Sequence, residues 1–320
     1  MITAQDLSGV MAMMPAFATE DAADIRAKST IDVDNLQSGV DRIIRDGINV
    51  IATTGSYGEF HTLLWDEFAM LTRATIEITN RRVPLFIGCT ALNSREVVQK
   101  MQLVQDAGGE GVLIGVPFYF PSTVDNVVQF YRDVAEMFPS LAIMIYHNPP
   151  LHNVTIPVDA FRRIMESPNV VAMKDSHRDA LQFMKLMEIT QGRLRVFVNQ
   201  GQYYPFATLG AAGCWSIEAW NGPWPLLRLR NAIEAGDIET AKHIIFELTT
   251  NAIGDPHNLS WRETAMKLAA GYAGYCNPGP LRPPFVNIPD AVVEGAKRRA
   301  AYWNELSAKY RPQVETLAAV

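Results

Sequence analysis

Cysteine is scarce in this chain, and its three residues of this type lie far apart, at Cys89, Cys214 and Cys276. They show neither the paired spacing of a zinc site nor the pattern of a disulfide framework, so we expect a reducing, cytoplasmic compartment. The six histidines are also scattered and form no metal-binding motif. We therefore expect a fold without disulfides and a function without a metal.

An excess of positive charge, long apolar runs and a leader segment are also missing. The net charge of -6 leaves no basic face for phosphates, which argues against a nucleic-acid partner. No apolar run approaches the roughly 20 residues that a membrane span needs, and no basic segment leads into an apolar one at the N-terminus. These absences predict a chain with neither a membrane nor a nucleic acid as partner.

Eight short apolar runs are typical of strands that are buried on both faces. Helical periodicity separates them, as at 33–45 and 94–107, and 48% hydrophobic residues over 320 positions suffice for one large core. We predict an α/β fold, a (β/α)8 TIM barrel. An open doubly wound sheet is the alternative, but the chain lacks a glycine-rich dinucleotide fingerprint, which favours the closed barrel. The predicted strands lie at 10–17, 50–54, 85–90, 112–116, 143–146, 170–174, 196–199 and 214–217.

The strand pattern ends near residue 236. Three amphipathic helical segments follow, at 238–248, 260–272 and 290–309. The loop 276–289 is rich in proline and glycine, so we expect a stiff connection that lies on other structure. We predict a barrel catalytic domain over residues 1–236 and a C-terminal helical extension, packed on the barrel, over residues 237–320.

Two neighbouring strands end in residues suited to chemistry, Tyr146 and Lys174. Parallel barrels keep their active sites at the carboxyl ends of the strands. An ammonium group is almost never fully buried without a partner or a lowered pKa. A nucleophilic amine at neutral pH needs a pKa about 3 units below its reference value, and burial inside a barrel can supply that shift. A neutral amine attacks a ketone to form an iminium, which draws electrons from neighbouring carbons.

Each of the two residues also has a structural alternative. Lys174 would then pair with a carboxylate, and Asp175 is next in sequence, but adjacent strand residues point to opposite faces. Tyr146 would be a core tyrosine whose hydroxyl bonds to a backbone carbonyl. Their joint position at neighbouring strand ends favours catalysis, with Lys174 forming a Schiff base and Tyr146 relaying protons.

Other strand ends carry glycines or aromatic rings. The segment 54–60 contains two glycines around Ser56 and Tyr57, a turn whose N–H groups suit a carboxylate, although such a turn is more often only a turn. The cluster 117–121, with Tyr119 at its centre, and Trp215 in the eighth strand suit a flat apolar substrate. Alternatively, the aromatic residues at these places cover the open end of the barrel or form part of a subunit contact.

Three motifs in order resemble the dihydrodipicolinate synthase and N-acetylneuraminate lyase family of pyruvate-handling class I aldolases. They are Gly-Ser-Tyr-Gly-Glu at 55–59, Tyr-His-Asn-Pro at 146–149 and Val-Ala-Met-Lys at 171–174. The resemblance covers nearly the whole chain and implies a (β/α)8 barrel with C-terminal helices, assembled as a homotetramer. It also implies that Lys174 forms the imine and that Tyr146 shuttles protons. The backbone around Ser56 and Tyr57 would bind the pyruvyl carboxylate.

Departures from the family pattern point to the substrate. Leu151 stands near the place where dihydrodipicolinate synthases carry an arginine for their aldehyde substrate's carboxylate, and Tyr57 and Trp215 replace smaller residues. Such features resemble the hydratase-aldolases that cleave benzylidenepyruvates in bacterial aromatic degradation. The same resemblance makes Asn148, Trp215 and Asn277 candidates for positioning the substrate or the attacking water, and Tyr119 a candidate contact.

The resemblance therefore implies a lyase that hydrates and cleaves a benzylidenepyruvate to an aromatic aldehyde and pyruvate, with trans-2′-carboxybenzalpyruvate as the expected substrate. No cofactor is implied, because the lysine amine serves as the electron sink. Another aldolase of the same family is the alternative within enzymes, acting on the o-hydroxy compound, a sugar acid or a short oxo acid. A noncatalytic barrel that binds an oxo acid is the alternative in a different class.

Overall fold

The computed structural model describes residues 1–175, 177–250 and 259–318. Eight strands lie where the apolar runs predict them, because side chains buried on both faces leave no polar position to break the run. In chain order they are β1 (Gly9–Met13), β2 (Val50–Ala52), β3 (Leu85–Gly88), β4 (Gly111–Ile114), β5 (Ala142–His147), β6 (Val170–Asp175), β7 (Arg195–Asn199) and β8 (Gly213–Ser216).

Helices follow the strands in alternation, and four short 3-10 segments at 4–6, 158–160, 200–202 and 218–221 complete the elements. The helices are α1 (Val33–Arg45), α2 (Trp65–Thr79), α3 (Ser94–Asp106), α4 (Val124–Met137), α5 (Pro149–His152), α6 (Phe161–Ile164), α7 (Ala180–Thr190), α8 (Tyr203–Ala207), α9 (Trp224–Glu234), α10 (Ile238–Thr249), α11 (Leu259–Ala273) and α12 (Asp290–Ala318). The three predicted C-terminal segments correspond to α10, α11 and α12.

The sheet is a closed barrel in which the eight strands follow one another in sequence order. The pairs from β2–β3 to β7–β8 are all parallel. The predicted (β/α)8 barrel is therefore confirmed. Parallel closure brings the carboxyl ends of the strands to one end of the barrel, and this is where such folds place their chemistry.

Side-chain caps fix where several helices begin. Asn93 accepts the amide of Glu96 at 3.0 Å before α3, and Thr123 accepts the amide of Asn126 at 3.3 Å before α4. Ser94 and Ser122 each lie one residue away from the cap. Both kinds of side chain cap helices well, so the choice depends on which oxygen reaches the first-turn amides.

Close backbone approach explains two glycines at the base of the first and last strands. A Cβ on Gly213 would lie 1.9 Å from the carbonyl oxygen of Gly9, a contact that no side chain permits. The amide of Gly9, whose φ is +80°, donates to Ala212 at 3.0 Å. Glycine at both positions therefore lets the chain pass without a steric clash.

The chain forms two compact units, and the predicted division at residue 236 stays a prediction. In the second unit α12 packs on α9 and α11, with the Trp303 indole donating to Gly222 at 2.8 Å and Arg299 paired with Glu218. No helix of the described ranges is long and apolar enough to cross a membrane. The first unit comprises Met1–Met11, Asn49–Thr53 and Val83–Trp215, and the second comprises Ala12–Ile48, Thr54–Arg82 and Ser216–Val320.

Candidate active site

Tyr146 and Lys174 lie side by side at the carboxyl ends of β5 and β6. Their Cα atoms are register partners in the parallel pair, and both side chains are buried. Because partner residues in a parallel ladder project to the same face, the phenol and the amine share one environment. The fold thus brings together the two residues that the sequence analysis selected as catalytic.

Two aromatic rings surround the Lys174 amine. Its Nζ lies 3.6 Å from the centroid of the Trp215 ring and 4.5 Å from the centroid of the Tyr146 ring. Both distances are within the range of a cation–π contact, which stabilises positive charge on the nitrogen. An amine held between rings can therefore carry the charge of an iminium while most of its surroundings stay apolar.

A hydrogen bond holds the edge of the Trp215 indole against β6. The residue lies in β8, where it is the register partner of Asn199, and its indole N–H donates to the backbone carbonyl of Asp175 at 3.0 Å. With its edge fixed on β6, the indole presents a face to Lys174. The predicted contact of Trp215 with a substrate stays a prediction.

The carboxylate of Asp175 engages other partners than the neighbouring lysine. Its Oδ1 lies 2.9 Å from His147 Nδ1, and its Oδ2 lies 3.0 Å from Arg178 Nε. Burial raises the pKa of Asp175, but the hydrogen bond from His147 and the charge of Arg178 outweigh it, so the pKa falls below its ordinary value. The strand geometry that separates Asp175 from the Lys174 face persists to the end of β6.

Asn148 lies directly beyond β5 and precedes α5. Its side-chain Nδ2 donates to the Tyr146 hydroxyl at 3.4 Å, a long hydrogen bond. The two prolines that follow begin a short helix, since proline suits the first turn where its missing N–H leaves nothing unsatisfied. Asn148 is thereby placed beside the phenol, in contact with a predicted catalytic group.

His152 is a buried neighbour of the site that the sequence analysis did not select. Its ring meets the Tyr146 ring edge to face, with centroids 4.8 Å apart. A Cβ on Gly115 would lie 2.3 Å from the ring, so only glycine at the end of β4 admits it. Burial, the nearby positive charge of Lys174 and that of His147 together lower the pKa of His152 to about 4. The neutral His152 ring therefore packs against the phenol ring of Tyr146.

We expect His152 to make the stability of the protein sensitive to acid. The unfolded chain protonates this histidine below about pH 6.5, whereas the folded chain holds it neutral until about pH 4. Between these values the unfolded state binds more protons, so the free energy of unfolding falls as the pH falls through the window. Relative to His152→Gln, the wild-type protein should lose about 2–3 kcal/mol between pH 7 and pH 4. Urea unfolding across that range measures the difference. The same dependence of the free energy of unfolding on pH in both proteins would refute the prediction.

Tyr119 lies in the loop after β4, and its side chain is 73% exposed. Its ring meets that of Phe120 edge to face at 4.9 Å, and the side-chain Nδ2 of Asn153 donates to the backbone carbonyl of Phe118 at 2.8 Å. The loop is thus tied to the end of α5, while two of its rings face outward. Tyr119 stays a predicted substrate contact, since an exposed ring is available to a ligand.

In the second unit, the predicted carboxylate-binding turn is a tight one. A Cβ on Gly58 would meet the backbone of Thr54 at 2.7 Å, and the amide of Glu59 donates to Ser56 at 3.0 Å. Ser56 is half-buried and Tyr57 is buried, with its hydroxyl lacking a hydrogen-bond partner within the part of the chain that the structure describes. Burial is the main cause that raises the pKa of Tyr57 well above its ordinary value. The predicted roles of Ser56 and Tyr57 stay predictions.

A buried charge cluster anchors this turn through Glu59. The Lys267 amine donates to the Glu59 carboxylate and to the Pro280 carbonyl, the latter at 2.7 Å, and the Arg282 guanidinium donates to Glu59 Oε2 at 2.8 Å. Burial and the charge of Arg282 lower the pKa of Lys267 to about 8, against the opposite effect of Glu59. The sequence alone does not reveal this cluster, because Glu59 is more than 200 residues from both Lys267 and Arg282.

Asn277 lies in the proline-rich loop of the second unit, with an exposed side chain. Its Oδ1 accepts the amide of Gly279 at 3.2 Å, which closes a local turn. The loop lies on other structure as predicted, since the carbonyl of Pro278 accepts the amide of Ala18 at 3.0 Å. The predicted contact of Asn277 with a substrate stays a prediction.

These observations define a class of protein. It is a (β/α)8 barrel enzyme that carries a buried amine beside a phenol at its strand ends. Residues 16–297 match the Dihydrodipicolinate synthetase family. The chain belongs to this family, and it is a lyase.

Relatives with known activities cover nearly the whole chain. A trans-O-hydroxybenzylidenepyruvate hydratase-aldolase from Pseudomonas putida is 32% identical over 97% of this chain and 96% of its own. A trans-2′-carboxybenzalpyruvate hydratase-aldolase from Nocardioides sp. strain KP7 is 26% identical over 99% of this chain and 98% of its own. A solved structure described as PhdJ bound to substrate intermediate superimposes with a TM-score of 0.90 at 28% identity, covering 97% of this chain and 99% of that one.

Proposed function

We propose that this lyase is a Schiff-base hydratase-aldolase. It would convert a benzylidenepyruvate and water to an aromatic aldehyde and pyruvate, in the breakdown of polycyclic aromatic hydrocarbons. The observation that carries the proposal is the position of the buried Lys174 amine, over the rings of Tyr146 and Trp215 at three strand ends. The activities named for the two relatives support the choice of substrate class.

The first stage forms the imine. The uncharged Lys174 nitrogen attacks C2, the ketone carbon of the substrate, and gives a carbinolamine. Tyr146 supplies the proton with which the C2 oxygen leaves as water, and a C2=N bond forms in its place. The resulting iminium is conjugated with the C3=C4 double bond, which makes C4 electrophilic. The two ring faces stabilise the positive charge that develops on nitrogen.

The second stage hydrates the alkene and cleaves the product. Water adds its oxygen to C4, the carbon that bears the aryl ring, while the alkene electrons move into an enamine that is then protonated at C3. Deprotonation of the new C4 hydroxyl breaks the C3–C4 bond, and its electron pair returns to the iminium. The aldehyde leaves, the pyruvyl enamine is protonated at C3, and hydrolysis frees Lys174. One electron sink serves both steps, so the proposal needs no cofactor.

The other predicted site residues take roles in binding. Asn148, bonded to the Tyr146 hydroxyl, would orient the phenol and the attacking water, and Trp215 and Tyr119 would contact the aryl group. The family motifs support two further proposals. Ser56 and Tyr57 would contact the carboxylate of the substrate, and Asn277 would contact the substrate. The same family pattern leads us to propose a homotetramer, which sedimentation analysis would test. The scarcity of cysteine leads us to propose a cytoplasmic location.

The ring substituent distinguishes two candidate substrates. The family resemblance implies trans-2′-carboxybenzalpyruvate, and the 26% identical relative carries that name. The trans-o-hydroxy compound is the second candidate, because the 32% identical relative is named for it. Sugar acids are disfavoured, since they demand many hydroxyl partners while the rings of Tyr146 and Trp215 flank the amine.

A spectrophotometric assay tests the proposed function. Each of the two benzylidenepyruvates should lose its conjugated absorbance only when the enzyme is present, with one equivalent each of aldehyde and pyruvate formed. The compound with the larger kcat/KM identifies the ring substituent. Absence of turnover with both compounds, together with cleavage of a sugar acid or a short oxo acid, would replace the proposed substrate class with another aldolase activity.

A further inference from the structure

Behind the catalytic pair lies a second pair that the proposed chemistry does not use. His147 and Asp175 are register partners one residue beyond Tyr146 and Lys174, and both are buried. Successive strand residues point to opposite faces, so this pair lies behind the one that meets the substrate. Burial of an imidazole and a carboxylate is costly unless their polar atoms are satisfied.

A closed circuit of hydrogen bonds and one ion pair connects them. The amide of Ile156 donates to His147 Nε2 at 3.2 Å, which leaves the proton on Nδ1 to be donated to Asp175 Oδ1 at 2.9 Å. Arg178 Nε forms an ion pair with Asp175 Oδ2 at 3.0 Å, although its N–H does not point at the oxygen. The guanidinium also donates twice to the Ile156 carbonyl, at 3.1 and 3.0 Å. The backbone of one residue, Ile156, therefore closes the circuit at both ends.

Stability alone does not account for such a circuit. Apolar side chains of similar volume are often as stabilising as a buried ion pair, because desolvation of the charges opposes their attraction. A buried network of hydrogen bonds does fix geometry, since such bonds are directional. What this network fixes is the end of β6, and the backbone carbonyl of Asp175 is the acceptor that orients the Trp215 indole.

The geometry points to His147, Asp175 and Arg178 as positioning residues. We propose that they hold the Asp175 carbonyl where it turns the face of Trp215 toward the Lys174 nitrogen, 3.6 Å from the ring centroid, and that this contact stabilises the iminium. The inference rests on the proposed Schiff base. It adds that the contact between Trp215 and Lys174 determines how readily the imine forms, independently of the aryl group of the substrate.

Imine formation with pyruvate alone measures the effect of this contact. In His147→Leu both ring hydrogen bonds are lost, and the pyruvate concentration for half-maximal trapping by borohydride should rise about 10-fold, the order of one cation–π contact. His147→Gln retains a donor and an acceptor and should recover most of the loss. His243→Leu makes the same change on the exposed face of α10 and should match the wild-type protein.

A double-mutant cycle separates positioning from general damage. Trp215→Phe keeps a ring but removes the N–H that Asp175 holds, so in that background His147→Leu should change trapping less than 2-fold. An equal loss in both backgrounds, or no loss in folded His147→Leu, would overturn the inference. If His147→Leu does not fold, Arg178→Lys takes its place in the cycle, because it keeps the charge opposite Asp175 and removes the bidentate contact with Ile156.

The same experiment distinguishes failure of the inference from failure of the proposed function. If the wild-type protein forms no reduced adduct with pyruvate, the Schiff base itself is wrong. If the wild-type protein is trapped and the cycle shows no coupling between His147 and Trp215, the Schiff base stands and the positioning role is wrong.

Discussion

Lys174→Ala should abolish turnover of benzylidenepyruvates while leaving the fold intact. The amine is the proposed electron sink for both hydration and cleavage, and no other group described at these strand ends supplies a nucleophilic nitrogen in contact with Tyr146 and Trp215. We expect kcat to fall on the order of 10⁴-fold or more, as for loss of a covalent nucleophile. Lys174→Arg should be equally inactive, because a guanidinium stays protonated and cannot attack a ketone.

The matched control is Lys185→Ala, a lysine on the exposed face of α7 in the same unit. Its kcat and KM should equal those of the wild-type protein. Circular dichroism and thermal unfolding should show that Lys174→Ala folds, since removal of a buried amine from between rings leaves a small apolar cavity. A folded Lys174→Ala enzyme with turnover within 10-fold of wild type would exclude the covalent mechanism.

Tyr146→Phe should be the second most damaging change. The substitution keeps the ring whose centroid lies 4.5 Å from Lys174 Nζ and removes only the hydroxyl that Asn148 contacts. Proton transfer by a positioned side chain contributes about 10²–10⁴-fold, so kcat should fall within that range while binding of substrate is largely kept. Steady-state kinetics on the purified variant measures both parameters.

Tyr131→Phe provides the matched control for the loss of a buried hydroxyl. Tyr131 is buried on α4 and donates to the Ile114 carbonyl at 3.0 Å, so this variant should lose about 1 kcal/mol of stability and no activity. If Tyr146→Phe behaves like Tyr131→Phe, the phenol is a structural group and proton relay belongs to another residue.

The barrel could be predicted because its strands are read directly from the sequence. Runs such as 112–116 and 170–174 contain almost only apolar residues, since both faces of a parallel strand are covered. Strand ends were less exact, and β5 and β6 each continue one residue further than predicted, to His147 and Asp175. Pairing between neighbouring strands determines where each strand ends, and the residue pattern of one strand contains no information about its neighbour.

Tyr146 and Lys174 could be predicted as neighbours because polar residues end otherwise apolar runs at corresponding places in two strands. His152 and Arg178 could not, because neither interrupts a run, and each acquires its role from a spatial neighbour. A ring fits beside Tyr146 only because position 115 is glycine. Contacts of this kind depend on the assembled barrel, and the order of residues along the chain does not indicate them.

Borohydride reduction in the presence of pyruvate tests the central claim most directly. The account predicts that the enzyme is inactivated only when both reagents are present, and that peptide mass spectrometry finds one reduced three-carbon adduct per chain, on Lys174. An active enzyme whose Lys174 peptide stays unmodified, or an adduct on Lys267 instead, would contradict it.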